Sequence, residues 1–192
     1  EFIFGGRMYG PWIDYSSEVR RRIRINGGST TELDRKAPHL NAMYQVITGK
    51  LCSYDDAYDL TIGGIKVPRH IAKNFCSFMQ GSSSPRGAAQ RVFNHYKYKA
   101  LEVDNPKQKD VEKHKDYVRF KKKVKPTAIV EAILKRHPKV AKSYMKGKAY
   151  GDFIGCWESD LVFEVVMELT KRDIPCLTVY DSFVVPLQYR EL

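Results

Sequence analysis

Two carboxylates far apart in the chain, Asp34 and Asp181, each adjoin a β-branched stretch, and between them Arg69 and Lys73 lie one helical turn apart. These residue types, brought together, suit phosphoryl transfer. Carboxylates are hard oxygen donors for Mg²⁺, with Mn²⁺ as the alternative ion, and leave coordination positions for waters and substrate phosphates. Two such ions about 3.5–4 Å apart can clamp the attacking and leaving oxygens of an in-line displacement. Arg and Lys at i and i+4 repel one another by roughly 0.2–0.5 kcal/mol in a bare helix. An anion between them turns that repulsion into attraction, which is the logic of a triphosphate clamp. Each feature also has a plainer reading: Asp34 as a helix N-terminal residue, Arg69 and Lys73 as a solvated face, Asp181 as an acid at a hairpin tip.

The elements that must hold these residues are legible from periodicity and punctuation. Thr30-Thr-Glu-Leu-Asp34 reads as a short strand, followed by a helix that starts at Pro38. Leu40, Met43, Tyr44 and Ile47 follow a helical period there, and Gly49 supplies the stop. A second helix runs from Pro68 to about Gln80, where Gly81-Ser-Ser-Ser-Pro breaks it. Ile71, Phe75 and Phe78 fall opposite Arg69 and Lys73 and read as core. A third helix fits Pro126 to His137, ended by Pro138. The last begins near Ser159 and runs to Lys171, with Leu161, Val162, Val165, Val166 and Leu169 on one broad apolar face. Leu177-Thr-Val-Tyr-Asp-Ser-Phe-Val-Val-Pro186 then reads as strand, Asp181-Ser182 turn, strand, a hairpin presenting Asp181 at or near its tip.

Composition limits the classes of function. The chain of 192 residues carries 33 Lys and Arg against 22 Asp and Glu, a formal charge of +11. That balance points to a polyanionic partner, most simply nucleic acid. Apolar residues at 43% and aromatics at 12% support a packed core rather than a disordered chain. Cys52, Cys76, Cys156 and Cys176 form no C-x-x-C pair, and read as buried, reduced thiols of an intracellular protein of cytoplasm, nucleoid or organelle matrix, phage- or plasmid-encoded among the options. No apolar run approaches a membrane span, so no membrane partner is expected. Between Lys97 and Lys125 basic residues outnumber acids, with Tyr96, Tyr98, Tyr117 and Phe120 interleaved. This zone is expected to be polar, helical at best, and a loop or finger over a ligand, or equally a solvated loop. The chain opens at Glu1-Phe-Ile-Phe without a methionine, which leads to the expectation of a trimmed chain or a fragment.

The order acid, Arg-x-x-x-Lys helix, acid at a hairpin resembles the polymerase core of family A DNA polymerases and phage-type single-subunit RNA polymerases. Thr31-Glu-Leu-Asp34 with Pro38-His-Leu-Asn-Ala-Met-Tyr44 looks like motif A of that group. Arg69-His-Ile-Ala-Lys73 with Gly81-Ser82 looks like motif B, and Thr178-Val-Tyr-Asp-Ser-Phe183 like motif C. Gly6-Arg7 and Arg20-Arg-Arg-Ile-Arg24 are similar to the segment ahead of motif A. Trp157-Glu-Ser-Asp160 sits where the group has a polar-headed helix. The resemblance implies Asp34 and Asp181 as catalytic metal ligands, with the backbone carbonyl of Arg35 as a third. It implies nucleotide contacts from Arg69, Lys73, His39 and Gln80. Contacts to the nucleic-acid backbone fall to Arg7, Arg20, Arg21, Arg22 and Arg24, with Tyr180 and Ser182 near the primer end. The chain departs from the pattern in three places. Tyr180 replaces the usual His before the acid, Gln80-Gly81 comes one position early, and His39 stands where the DNA polymerases carry a Glu.

The fold class expected is α+β, with a small antiparallel palm sheet backed by helices and a helical, basic fingers subdomain. Residues 1–60 would be the first part of the palm with an arm that contacts template and primer. Residues 61–156 would be the fingers, and 157–192 the second part of the palm with the catalytic hairpin. The function expected is a template-directed nucleotidyltransferase of the family A DNA polymerase type. Its partners would be nucleic-acid template and primer, nucleoside triphosphates, and further polymerase chains or segments such as a thumb or exonuclease. The same-class alternative is a single-subunit RNA polymerase or primer-synthesising enzyme. The alternatives from other classes are a non-catalytic basic nucleic-acid-binding module and a metal-dependent nuclease, the latter having no need of a triphosphate clamp.

Overall fold

A computed structural model of the chain describes Met8 and residues 10–191. In chain order the helices and strands are α1 (Ser17–Arg20), β1 (Arg24–Ile25), β2 (Gly28–Asp34), α2 (Pro38–Thr48), β3 (Thr61–Ile62), β4 (Ile65–Lys66), α3 (Arg69–Gln80), α4 (Pro85–Lys97), α5 (Gln108–Phe120), α6 (Pro126–Arg136), α7 (Lys148–Lys171), β5 (Leu177–Val179) and β6 (Ser182–Pro186). This is an α+β fold with a curled, four-stranded antiparallel sheet. The chain divides into two compact units, one of residues 1–38 and 153–192, the other of residues 39–152.

The first unit is built on the sheet β1-β2-β6-β5, all pairs antiparallel. Successive side chains of a strand point to opposite faces, and here the two faces differ in chemistry. Leu33 of β2 with Phe183 and Val185 of β6 pack against Val162, Val165, Val166 and Leu169 of α7. The other face carries Thr30, Glu32 and Asp34 of β2 opposite Pro186, Val184 and Ser182 of β6. The periodicity of the α7 apolar face is as read from sequence, but the helix begins at Lys148, not near Ser159. Nothing in Lys148–Glu158 breaks a helix apart from two glycines, which cost only about 1 kcal/mol each relative to Ala. Trp12 ties the N-terminal segment to the sheet, its indole N–H donating to the Thr178 carbonyl at 2.7 Å.

The second unit is a helical cluster with a β3–β4 hairpin. Gly63 and Gly64 both have positive φ, the backbone that a two-residue turn of this kind needs. Its core joins Ile71, Phe75 and Met79 of α3, Val92 and Tyr96 of α4, Tyr117 and Phe120 of α5, and Ile129 and Ile133 of α6. Tyr96 and Tyr117 stack with ring centroids 4.9 Å apart. The zone at 97–125, expected as a ligand-facing or solvated loop, instead contains the helical turn Tyr98–Glu102 and α5, and three of the four interleaved aromatics are buried; Tyr98 alone of the four is exposed. None of the four cysteines is in a disulfide; Cys76 is buried and the other three are half-buried. No helix among the described residues is long and apolar enough to cross a membrane.

His137 closes α6 and is fully buried. Its Nδ1 lies 3.1 Å from the Tyr44 hydroxyl and its Nε2 2.9 Å from the Ala57 carbonyl oxygen. Burial lowers its pKa below the ordinary histidine value, with Arg136 adding to the effect against the Ala57 bond. A depressed histidine pKa means that the unfolded chain binds the proton more readily, so stability is complete above the unfolded value of about 6.5 and is lost as pH falls below it. Chemical denaturation between pH 7.5 and 5 is expected to show falling stability, and His137→Leu is expected to flatten that slope.

Candidate active site

The edge where β2 ends and the β5–β6 hairpin turns holds both expected acids. Asp34 is the last residue of β2 and pairs with Ser182, which also pairs with Val179 of β5. Asp181 precedes Ser182, so strand geometry sets the two acidic Cα atoms no more than about 9 Å apart. The Ser182 hydroxyl donates to Asp34 Oδ1. Ser182 is buried, Asp181 half-buried and Asp34 exposed, so one Asp34 oxygen is fixed from beneath while the carboxylate stays open to solvent.

The turn itself is displaced from the expected one. Its two residues are Tyr180 and Asp181, whereas Ser182 belongs to β6. The register explains this, because Ser182 must sit in the ladder to face both Val179 and Asp34. Tyr180 takes φ of 57°, a left-handed conformation that costs an ordinary side chain roughly 1–2 kcal/mol. Ala37, three residues past Asp34, has φ of 45°. Among the described non-glycine residues with positive φ, Asn26, Asn105 and Asp173 are of the types that tolerate it. Of the remaining three, Ala37 and Tyr180 flank the two acids and Met145 does not. Backbone strain of this kind concentrates at functional sites.

Two further carboxylates border the edge. Glu32 shares the face of Asp34 and receives Arg20 through a two-pronged pair, Nε to Oε2 at 3.0 Å and Nη2 to Oε1 at 2.9 Å. Arg20 also donates to the Tyr15 carbonyl at 2.9 Å. A cavity of about 380 Å³ opens along this face, lined by Arg20, Arg21, Thr30, Glu32 and Asp34. Glu158 of α7 is buried, and its Oε1 lies 3.9 Å from Arg35 Nη1. The ion pair joins α7 to the residue directly after Asp34. Sequence reading placed Glu158 in a motif without a role; the signal was a carboxylate one turn from the buried face of an apolar helix.

The basic residues expected to meet nucleic acid are not equivalent. Arg20 is occupied by Glu32, and Arg24 donates to the Ser29 hydroxyl at 2.7 Å. Arg21 and Arg22 are exposed. Arg7 lies outside the described residues.

In the second unit, Arg69 and Lys73 are both exposed on α3, opposite buried Ile71 and Phe75, as expected. Arg69 Nε donates to Asp56 Oδ2 at 3.0 Å, and its guanidinium lies 5.2 Å from the centre of the Tyr58 ring. Burial pushes the Asp56 carboxyl up, but the Tyr58 amide and the Arg69 guanidinium more than offset it and hold it below the ordinary range. His39 is half-buried in α2. Gln80 is buried, and its amide donates to the His39 carbonyl at 3.0 Å. The reason is its place in the last turn of α3, on the same side as buried Cys76.

Hard oxygen donors from Asp34 and Asp181, with one Asp34 oxygen left open, fit Mg²⁺ or Mn²⁺ in chemical type. Among the described residues no group of three or more His, Cys, Asp or Glu is gathered as a ready metal cage. Comparison with protein-family models, curated proteins and solved structures gave no match.

The left-handed turn residue gives a direct test of the hairpin. Tyr180→Val, which adds β-branching at positive φ, is expected to be less stable than Tyr180→Asn by about 1–2 kcal/mol in urea denaturation. Equal stabilities would mean that the turn is not held in this conformation.

Proposed function

We propose that the protein is a template-directed nucleotidyltransferase with a palm-like catalytic sheet, of the family A DNA polymerase type. The observation that carries this reading is the pairing of Asp34 with Ser182, which brings two carboxylates from opposite ends of the chain to one sheet edge. The polar face beside them, with Arg21 and Arg22 exposed nearby, suits a nucleic-acid backbone, and the net charge of +11 agrees with a polyanionic partner.

In this reading Asp34 and Asp181 hold the divalent ions, with the Arg35 carbonyl as a further donor. The ions would supply charge neutralisation and activation of the attacking hydroxyl. Ser182 orients the Asp34 carboxylate through its hydroxyl. The Arg35–Glu158 pair holds the chain past Asp34 against α7. Arg69 and Lys73 would bind the triphosphate, whose phosphates would compete with Asp56 for the Arg69 guanidinium. The second unit is then the fingers. An RNA-synthesising enzyme of the same group is the second reading, favoured by His39 in place of the Glu that excludes ribose.

Asp34→Ala and Asp181→Ala are each expected to lower primer extension by at least about a hundredfold while changing template affinity only a few-fold. Gel-based incorporation with Mg²⁺, run in parallel with filter binding, reads both quantities. Retained extension in either variant would overturn the assignment. Extension with ribonucleotides and none with deoxyribonucleotides would select the second reading.

A further inference from the structure

A second concentration of charge lies wholly within the helical unit, away from both carboxylates in sequence. α3 presents His70, Lys73 and Asn74 on one face, at i, i+3 and i+4. The end of α4 adds His95, the turn after it adds Lys99, and the first turns of α5 add Asp110 and Lys113. Together with Tyr96 they line a cavity of about 170 Å³, well above the ~10–15 Å³ that a single water needs.

The floor is rigid. Tyr96 is buried, stacks on Tyr117 and donates its hydroxyl to the His70 carbonyl at 3.1 Å. Its ring meets the edges of both histidines, with centroids 5.9 Å away in each case. The rim is cationic. Among the described residues none of Lys73, Lys99 and Lys113 forms an ion pair, although exposed Lys and Arg elsewhere in this chain do so repeatedly. Asp110 is the one acidic group of the lining. His70 Nε2 is buried and has no hydrogen-bond partner.

Three ammonium groups without ion pairs around one concavity are mutually repulsive until an anion joins them. We propose that this cavity is a phosphate-binding site, taking either the terminal phosphates of a nucleotide or a backbone phosphate of a nucleic acid. Lys99 and Lys113 supply charge, and the two imidazoles donate once protonated.

The histidines make such binding proton-linked. Burial lowers the His70 pKa and the Lys113 charge lowers it further, against the opposing effects of Asp116 and of a hydrogen bond to the Lys113 backbone. Burial likewise lowers that of His95, with Lys99 and Lys113 adding to the shift and Asp110 opposing it. Both rings are therefore mostly neutral at pH 7. A bound phosphate would favour the protonated rings, so affinity should rise as pH falls from 8 to 6.

The test uses the full chain, metal-free buffer and inorganic pyrophosphate, with His ring resonances followed by NMR. Pyrophosphate is expected to shift the His70 and His95 signals and raise both pKa values. Lys99→Ala and Lys113→Ala should each weaken binding roughly tenfold, while Lys139→Ala, an exposed lysine outside the cavity, should not. Lys99→Gln and Lys113→Gln repeat the measurement if an alanine variant melts early. Ring signals unmoved at millimolar pyrophosphate would overturn the site, as would equal weakening by Lys139→Ala. Competition by a deoxynucleoside triphosphate or by a single-stranded oligonucleotide assigns the source of the phosphate, and either supports the site. The Asp34→Ala/Asp181→Ala double variant should bind pyrophosphate normally, so failure here and failure of the nucleotidyltransferase reading are separable.

Discussion

The antiparallel register of β2 on β6 is the constraint from which the chemistry of the first unit follows. With Asp34 opposite Ser182, the pleat sends Leu33, Phe183 and Val185 toward α7 and leaves Glu32, Asp34 and Ser182 on the far face. A slip of one residue would exchange those sets, putting carboxylates against the helix and aromatic and aliphatic side chains into water. Burial of each large apolar side chain is worth roughly 1.5–3 kcal/mol, and an unpaired carboxylate against α7 would cost more. The hydrophobic contact that stabilises the sheet therefore also specifies where the acids point. No separate device is needed to aim them.

Electrostatics then sorts the basic residues into kinds that a charge count does not distinguish. Arg20 is fixed by a two-pronged bond to Glu32, and such pairs are strong because their geometry matches. Arg69 has an acidic partner and an aromatic ring, and Arg35 a buried carboxylate. Arg21, Arg22, Lys73, Lys99 and Lys113 have no such commitments among the described residues. A polyanion would meet this second group first, and would have to displace a carboxylate to engage the first.

How much of this was legible in the sequence depends on the range of the cause. Helices α2, α3 and α6 were readable because their apolar period, their prolines and their stop signals are local. β2 and the terminal hairpin were readable from β-branched runs. The turn was misplaced by one residue because Asp-Ser is ordinary turn chemistry, whereas Tyr at positive φ is imposed by a register set across the sheet. The β3–β4 hairpin was missed although Gly63-Gly64 between two short apolar pairs is a standard signal for it. α4 was missed behind the serines of its own N-cap. With α4 unseen, Tyr96, Tyr117 and Phe120 looked like surface aromatics among lysines. Pairings of residues far apart, such as Arg20 with Glu32 or Arg35 with Glu158, leave no mark in local pattern.

The indole bond of Trp12 to the Thr178 carbonyl has an optical consequence. The chain has two tryptophans, Trp12 and Trp157, and both belong to the unit of the sheet. The helical unit has tyrosines and phenylalanines but no tryptophan. Light at the red edge of the aromatic absorption band therefore excites one unit and passes over the other. Emission on that edge follows the unit of the sheet and α7, whereas far-ultraviolet dichroism reports helix in both units. The tryptophan emission is therefore a label-free report on one unit.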